Sequence, residues 1–173
     1  MKNILIREEK PTDYNAVKSV NDKAFKQPVE GNIIEKLRYS DSRLLSLVAE
    51  MNNTVVGHIF FSSVTIDEHP YITDGMGLAP MAVLPKYQKQ GIGKLLINKG
   101  IEILQKQSIP FIIVLGHETY YPKFGFEIAS KYGLKCQWDG VPDEAFMVLI
   151  LDKDRMKNVN GIARYREEWN EAV

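Results

Sequence analysis

The sequence predicts one α/β domain whose central sheet is mixed, mostly antiparallel and flanked by helices. The chain has 173 residues, of which 45 % are hydrophobic and 25 % charged, and this suits a single domain with a substantial core. Over residues 44–84, apolar stretches of strand length alternate with turn sequences, which is typical of antiparallel strands. Over residues 76–115, a strand, a helix and a second apolar strand follow one another, which indicates a right-handed crossover between parallel strands.

The first forty residues predict one strand followed by two helices. Residues 3–8 are rich in isoleucine and predict the strand. Thr12 is expected to cap the next helix, whose apolar residues recur at helical spacing as far as Lys26. Pro28 ends that helix, and the second helix is predicted over Val29–Ser40.

Three strands are predicted next, over residues 44–51, 55–66 and 76–84. The pair Asn52-Asn53 joins the first two, because asparagine tolerates the positive φ of a tight turn. A helix is predicted over residues 91–107, with a broad apolar stripe.

The second half of the chain predicts two further strands and a short helix. Phe111–Leu115 is apolar throughout, as in a strand that is buried on both faces. A short helix over residues 117–123, ended by Gly125, and a strand over residues 145–151 are expected. Residues 152–173 are charged and lack clear periodicity, so we expect a tail. Three of its side chains can dock on the body of the domain: Ile162, Tyr165 and Trp169.

Charge and composition exclude several function classes. Lys plus Arg equals Asp plus Glu at 22 each, which argues against a nucleic-acid partner. No segment approaches the ~20 apolar residues that cross a bilayer, and the N-terminal residues show no secretory signal. The single cysteine, Cys136, is compatible with a reducing cytoplasm, and we expect a cytoplasmic protein. The three histidines are scattered, so no metal is expected, and His58, inside an apolar strand, is interpreted as structural.

A phosphate site is predicted where the strand over residues 76–84 leads into the helix over residues 91–107. The first N–H groups of a helix lack intrahelical partners, and the helix dipole makes that end positive. Gly91 and Gly93 have no Cβ, so a pyrophosphate can approach the backbone closely. Lys89 and Lys94 add positive charge.

Two motifs connect this loop with a known family. Gln88-Lys89-Gln90-Gly91-Ile92-Gly93 matches a Gln/Arg-x-x-Gly-x-Gly/Ala loop, and Tyr121-Pro122-Lys123-Phe124-Gly125-Phe126 matches a Tyr-x-x-x-Gly-Phe element. With these motifs and the predicted order of elements, residues 3–151 resemble the GNAT superfamily of acetyl-CoA-dependent N-acetyltransferases. Residues 161–165 are similar to the tail of a bacterial branch of predicted acetyltransferases.

The resemblance implies a GNAT domain over residues 1–151 and a tail, 152–173, packed on the same domain. It implies a sheet that is splayed between the central strand and the parallel strand that follows. The activity implied is transfer of the acetyl group from acetyl-CoA, the co-substrate, to a primary amine on a small molecule or peptide. Because no serine or cysteine is placed to form an acyl-enzyme, direct transfer in a ternary complex is expected. A monomer and a homodimer are equally compatible.

The resemblance also assigns residues. The strand edge at Met81, Ala82 and Val83 is implied to bind the pantetheine arm of coenzyme A. Tyr121 is implied to hydrogen-bond or protonate the departing thiolate, with Tyr120 as a rival. The N–H groups of one loop are implied to bind the pyrophosphate: Gln88, Lys89, Gln90, Gly91, Ile92, Gly93 and Lys94.

The general base stays unassigned. Some branches of the family carry a glutamate near the position of Gly77, and residues 76–84 contain no carboxylate. Asp74, Glu118, His117 or a water chain are the alternatives. Three carboxylates, Glu30, Glu35 and Asp41, can attract a cationic amine, although solvated helix charges are the simpler interpretation.

Two other classes of function compete with an enzyme of this kind. A non-catalytic acyl-CoA-binding sensor would keep the loop and lose turnover. A nucleotide enzyme of the P-loop or Rossmann kind is disfavoured, because the loop lacks Gly-Lys-Ser/Thr and follows antiparallel strands.

Overall fold

The computed structural model describes residues 3–173, which contain three α-helices and nine strands. The helices are α1 (Tyr14–Phe25), α2 (Val29–Ser40) and α3 (Ile92–Lys106). The strands are β1 (Ile4–Glu8), β2 (Leu45–Met51), β3 (Thr54–Ile66), β4 (Gly75–Val83), β5 (Phe111–Leu115), β6 (Glu127–Ile128), β7 (Leu134–Cys136), β8 (Phe146–Ile150) and β9 (Gly161–Arg164). Among these residues, no helix is both long and apolar enough to cross a membrane.

The sheet has the order β1-β2-β3-β4-β5-β8-β6, and within this order only the β4–β5 pair is parallel. The predicted mixed, mostly antiparallel sheet is therefore confirmed. The predicted turn between β2 and β3 is also confirmed, since Asn52 and Asn53 have φ angles of 50° and 60°. Strand β9 lies off this path and pairs with the end of β3 and with β7.

Helices cover both faces of the sheet. Helix α3 packs on the face formed by β1 to β4, where Leu96 and Ile97 are fully buried. On the other face lie α1, α2 and the C-terminal segment, and Ile33 and Leu37 of α2 are fully buried there with Trp169 of the tail. The molecule therefore has three layers, with the sheet in the middle.

Three local predictions were wrong. Thr12 does not cap α1: it lies in a 3-10 turn over Pro11–Asp13, where the Asp13 carboxylate accepts a hydrogen bond from the Lys10 N–H at 2.7 Å. The short helix over residues 117–123 shrinks to a 3-10 turn over Tyr121–Phe124, ended as expected by Gly125 at φ 92°. The tail contains strand β9 and a terminal 3-10 helix, where no element was expected.

His58 joins α1 to the sheet from a fully buried position. Its Nδ1 lies 3.1 Å from the Asn21 amide nitrogen, and its Nε2 lies 2.9 Å from the Ser46 hydroxyl. Burial lowers the pKa of His58 from 6.5 to about 3, and the nearby Arg38 charge adds to this. His58 is thus held neutral, as a structural residue would be.

The buried neutral state of His58 predicts a pH dependence of stability. In the unfolded chain its pKa is near 6.5 and in the folded chain about 3, so the unfolded state binds one proton more between these values. The His58 contribution is complete above pH 6.5. As the pH falls below 6.5, the folding equilibrium constant should fall by up to about tenfold per pH unit. Urea unfolding from pH 7.5 to 5 measures this.

The control is a His58→Gln variant, which should be less stable at every pH and should lose most of this slope. The range above pH 5 is chosen because carboxylates titrate mainly at lower pH. An unchanged slope in the variant would contradict the assignment to His58.

Candidate active site

The loop before α3 has the geometry of an anion site. Gly91 is the N-cap residue of α3, with φ 85°, and Lys89 also has a positive φ of 59°. The helical hydrogen bonds begin with the Leu95 N–H, which donates to the Gly91 carbonyl at 3.2 Å. The N–H groups before Leu95 in the first turn therefore have no partner within the helix. A Cβ on Gly91 would meet no atom within 4 Å, so open space faces this backbone. Phosphate binding at this loop stays a prediction.

The other loop residues divide into side chains that face solvent and side chains that hold the loop. Lys89 and Lys94 are exposed, whereas the Ile92 side chain is buried in the core. The Gln88 side-chain amide donates to the Val83 carbonyl at 3.0 Å. The backbone N–H of Gln88 donates to the Pro85 carbonyl at 3.4 Å. In addition, the Gln90 side chain donates to the Lys86 carbonyl at 3.1 Å.

Gly93 brings three elements together at the start of α3. A Cβ on this residue would lie 2.9 Å from the Tyr120 hydroxyl and 3.3 Å from the Met81 methyl carbon. Glycine is therefore required for the close approach of α3, β4 and the segment that follows β5.

Strand β4 has a free edge beside this loop. Its parallel ladder with β5 ends where Leu78 faces Val114, while β4 itself continues to Val83. On the other side, Met81, Ala82 and Val83 stay paired with β3. Pro80 has no N–H and cannot extend a ladder. The expected splay is thus confirmed, and an extended ligand arm can pair with the free edge.

A cavity of about 230 Å³ opens at the splay. Its wall toward the sheet contains Leu78 and Met81 of β4, Leu115 of β5, and Tyr121. The opposite wall comes from the two N-terminal helices, the segment after β7 and the tail, with Phe25, Glu30, Trp138, Tyr165 and Trp169. The cavity therefore touches the β4 edge on one side and a mostly aromatic surface on the other.

Tyr121 is held firmly and has a free hydroxyl. Its ring packs against Gly116 and lies 5.7 Å from Phe126, and the residue is 8 % exposed. Burial raises the pKa of the Tyr121 phenol, and the adjacent Tyr120 contributes to the shift. Within residues 3–173, its hydroxyl makes no hydrogen bond. Tyr121 is thus a buried, protonated phenol in the cavity lining, whereas Tyr120 lies against the start of α3.

None of the carboxylates or histidines considered as a base lines this cavity. Asp74 forms a two-pronged ion pair with Arg155, at 2.6 and 2.9 Å. Glu118 and His117 are exposed. At Gly77, a Cβ would lie 2.3 Å from the Tyr165 ring, so Tyr165 occupies the space of the glutamate found in other branches.

Glu30 was interpreted from the sequence as a solvated charge, and the structure places it elsewhere. It is 9 % exposed and lines the cavity, which overturns its interpretation as a solvated charge. A signal was present, because residues 30, 33, 34 and 37 share one face of α2 and the other three are apolar. By contrast, Glu35 is exposed, and Asp41 is committed to the Ser63 N–H at 2.8 Å.

Comparison with known proteins identifies the family. Residues 42–128 match the acetyltransferase (GNAT) domain. The Escherichia coli (strain K12) protein named uncharacterized N-acetyltransferase YhbS is 32 % identical over 168 residues, which cover 96 % of this chain and 99 % of that protein. The chain belongs to the GNAT acetyltransferase family. The family expected from the two motifs is thus confirmed.

Solved GNAT structures share the fold over nearly the whole chain. The crystal structure of E. coli YhbS in complex with CoA has a TM-score of 0.90 at 31 % identity and covers 98 % of this chain and 93 % of its own. A GNAT acetyltransferase from Brucella melitensis in complex with acetyl-CoA has a TM-score of 0.80 at 30 % identity, with coverage of 98 % and 99 %. As for metals, residues 3–173 bring together no group of three or more His, Cys, Asp or Glu side chains that could hold one.

Proposed function

We propose that this GNAT protein transfers the acetyl group of acetyl-CoA to a primary amine, directly and within a ternary complex. The observation that carries the proposal is the free β4 edge, which lines one cavity together with Tyr121 and which touches the start of α3 where Met81 lies against Gly93. The CoA and acetyl-CoA complexes of two relatives support the choice of co-substrate.

Coenzyme binding would use the backbone more than side chains. The loop over residues 88–94 would hold the pyrophosphate through the N–H groups at the start of α3, with Lys89 and Lys94 adding charge. The β4 edge at Met81, Ala82 and Val83 would pair with the pantetheine arm as an added strand does. This would place the thioester at the splay, beside Tyr121.

Catalysis of this reaction requires mainly that the amine and the thioester are aligned. Acetyl-CoA supplies the activated acetyl group, and positioning of two reactants can offset ~7–11 kcal/mol of the barrier. A main-chain N–H on the β4 edge near Val83 would stabilise the charge that develops on the carbonyl oxygen. Tyr121 would donate its proton to the leaving sulfur. Burial raises the pKa of the Tyr121 phenol, so the phenol is protonated at neutral pH and has a proton to donate.

Calorimetry with acetyl-CoA, followed by a panel of primary amines monitored for free thiol, tests the proposal. We expect binding to the unmodified protein and thiol release with at least one amine. Gly91→Leu should weaken acetyl-CoA binding about tenfold or more, because its side chain would enter the phosphate space and a positive φ disfavours leucine.

Gly140→Leu is the matched control, since Gly140 also has a positive φ, 77°, and open space around its Cβ position. Its acetyl-CoA affinity should stay close to that of the unmodified protein. Absence of acetyl-CoA binding would refute the proposal, and binding without thiol release from any amine would favour the sensor.

A further inference from the structure

Glu30 lines the cavity and carries one side-chain oxygen that has no partner among residues 3–173. Its Oε1 accepts a hydrogen bond from the Gln27 side-chain amide at 2.9 Å, which fixes the carboxylate. Its Oε2 is buried and, within residues 3–173, has no hydrogen-bond partner. A buried carboxylate oxygen without a partner is costly, so a group that donates to it would be bound well.

The cavity that Glu30 lines offers no cationic side chain as a partner. Glu30 lies in the first turn of α2, where the helix dipole stabilises an anion. The residues that line the cavity include no Lys, Arg or His. An ammonium group of a ligand has the donors that this oxygen lacks.

The other residues that line the cavity determine which kind of molecule can carry the ammonium group. Around Glu30, the walls are aromatic or aliphatic, with Phe25, Trp138 and Trp169 among them. Trp138 stacks on Tyr165 at 5.6 Å, and the Trp169 indole N–H already donates to the Ser62 hydroxyl at 3.2 Å. These rings offer apolar contact and cation–π attraction, but few polar groups for a hydroxylated or multiply charged acceptor.

We propose that Glu30 binds the ammonium group of the acceptor, and that the acceptor is a primary amine carried on an apolar aromatic or aliphatic body. This assignment rests on the proposed acetyltransferase function and names the substrate class of the same site. It also gives Gln27 a positioning role, because its amide orients the Glu30 carboxylate.

Glu30 also accounts for the first proton of the reaction. The ammonium gives one proton to the Glu30 carboxylate, which passes it to solvent, and the freed nitrogen lone pair attacks the thioester carbonyl. The C–N bond forms and the C–S bond breaks. The sulfur takes a proton from Tyr121, and the nitrogen's second proton restores the phenol, so the products are the N-acetyl amine, the free thiol and one released proton.

The test compares amines and variants on the full chain. Phenethylamine and hexylamine should be better acceptors than spermidine and glucosamine, as judged by kcat/KM from thiol release. Glu30→Gln should raise KM for phenethylamine about 10- to 100-fold, through loss of a charged hydrogen bond, and should lower kcat because glutamine accepts no proton, with the Kd of acetyl-CoA unchanged. Glu35→Gln, which removes an exposed charge from the same helix, should change none of these values.

Two measurements on the unmodified protein keep the proposal testable if Glu30→Gln does not fold. Calorimetry should show phenethylamine binding to the CoA-saturated protein. 2-Phenylethanol, which lacks the charge, should bind at least about tenfold more weakly. A preference for the polar amines, an unchanged KM in Glu30→Gln, or equal binding of amine and alcohol would each overturn the inference.

These outcomes separate the inference from the function on which it rests. Loss of acetyl-CoA binding or of all thiol release refutes the acetyltransferase proposal. Thiol release with polar amines alone leaves that proposal intact and refutes the role of Glu30.

Discussion

Tyr121→Phe is expected to lower kcat for acetyl transfer about 10²- to 10⁴-fold, the usual contribution of a general acid, with the Kd of acetyl-CoA nearly unchanged. In this structure, Tyr121→Phe removes the hydroxyl without disturbing the packing around the ring. The Tyr121 hydroxyl has no hydrogen-bond partner within residues 3–173, so its removal leaves no buried polar atom unsatisfied. The ring contacts with Gly116 and Phe126 are kept by phenylalanine. Thiol-release kinetics, calorimetry and thermal unfolding together measure the effect.

Tyr120→Phe is the matched control, because it deletes the same atom from the adjacent residue. Tyr120 lies against the start of α3, so its removal should affect coenzyme affinity more than turnover. A larger loss of kcat in Tyr120→Phe would exchange the two roles. Equal loss of turnover and coenzyme affinity in Tyr121→Phe would return Tyr121 to a packing role.

Tyr165→Ala is expected to reduce the free energy of unfolding by about 3–5 kcal/mol, the range for removal of a large buried aromatic side chain. Tyr165 is 5 % exposed, packs directly on Gly77 and stacks on Trp138. Its hydroxyl lies 3.2 Å from the Leu78 carbonyl and 3.3 Å from the Ile113 carbonyl, so it reaches both β4 and β5 just before they separate. Urea unfolding measures the loss.

Two controls separate packing from hydrogen bonding. Tyr39→Ala removes a tyrosine that is 92 % exposed and should change stability by no more than about 0.5 kcal/mol. Tyr165→Phe keeps the ring and should cost about 1 kcal/mol. If Tyr165→Ala were as mild as Tyr39→Ala, the segment after residue 151 would be a peripheral appendage.

The sequence predicted the elements whose cause is local. The predicted and observed bounds of α2 are the same, Val29–Ser40, because Pro28 precedes the helix and its apolar face is regular. The prediction for α3 was one residue too long at each end. Strand β9 was missed because its pairing is distant: Ala163 faces Ile66 across nearly a hundred residues, and four residues show no alternation of their own.

The same division applies to the candidate site. The loop over residues 88–94 and Tyr121 were predicted from motifs, since their spacing along the chain is fixed. The proposed acceptor side is assembled from α2, the segment around Trp138 and the tail, which meet only in the folded chain. Tyr165 fills the space beside Gly77, and Glu30 lines the cavity, through contacts between residues that are far apart in the sequence. A local sequence pattern therefore cannot predict them.

The splay between β4 and β5 has a consequence beyond ligand binding. A strand edge without a partner is the usual point at which a second chain pairs by mistake and begins an aggregate. On β4 this hazard begins beyond Leu78, and Pro80 reduces it because proline offers no N–H to an incoming strand. A pantetheine arm bound to the β4 edge would occupy its free backbone groups. Bound coenzyme would therefore also reduce aggregation of the protein through this edge.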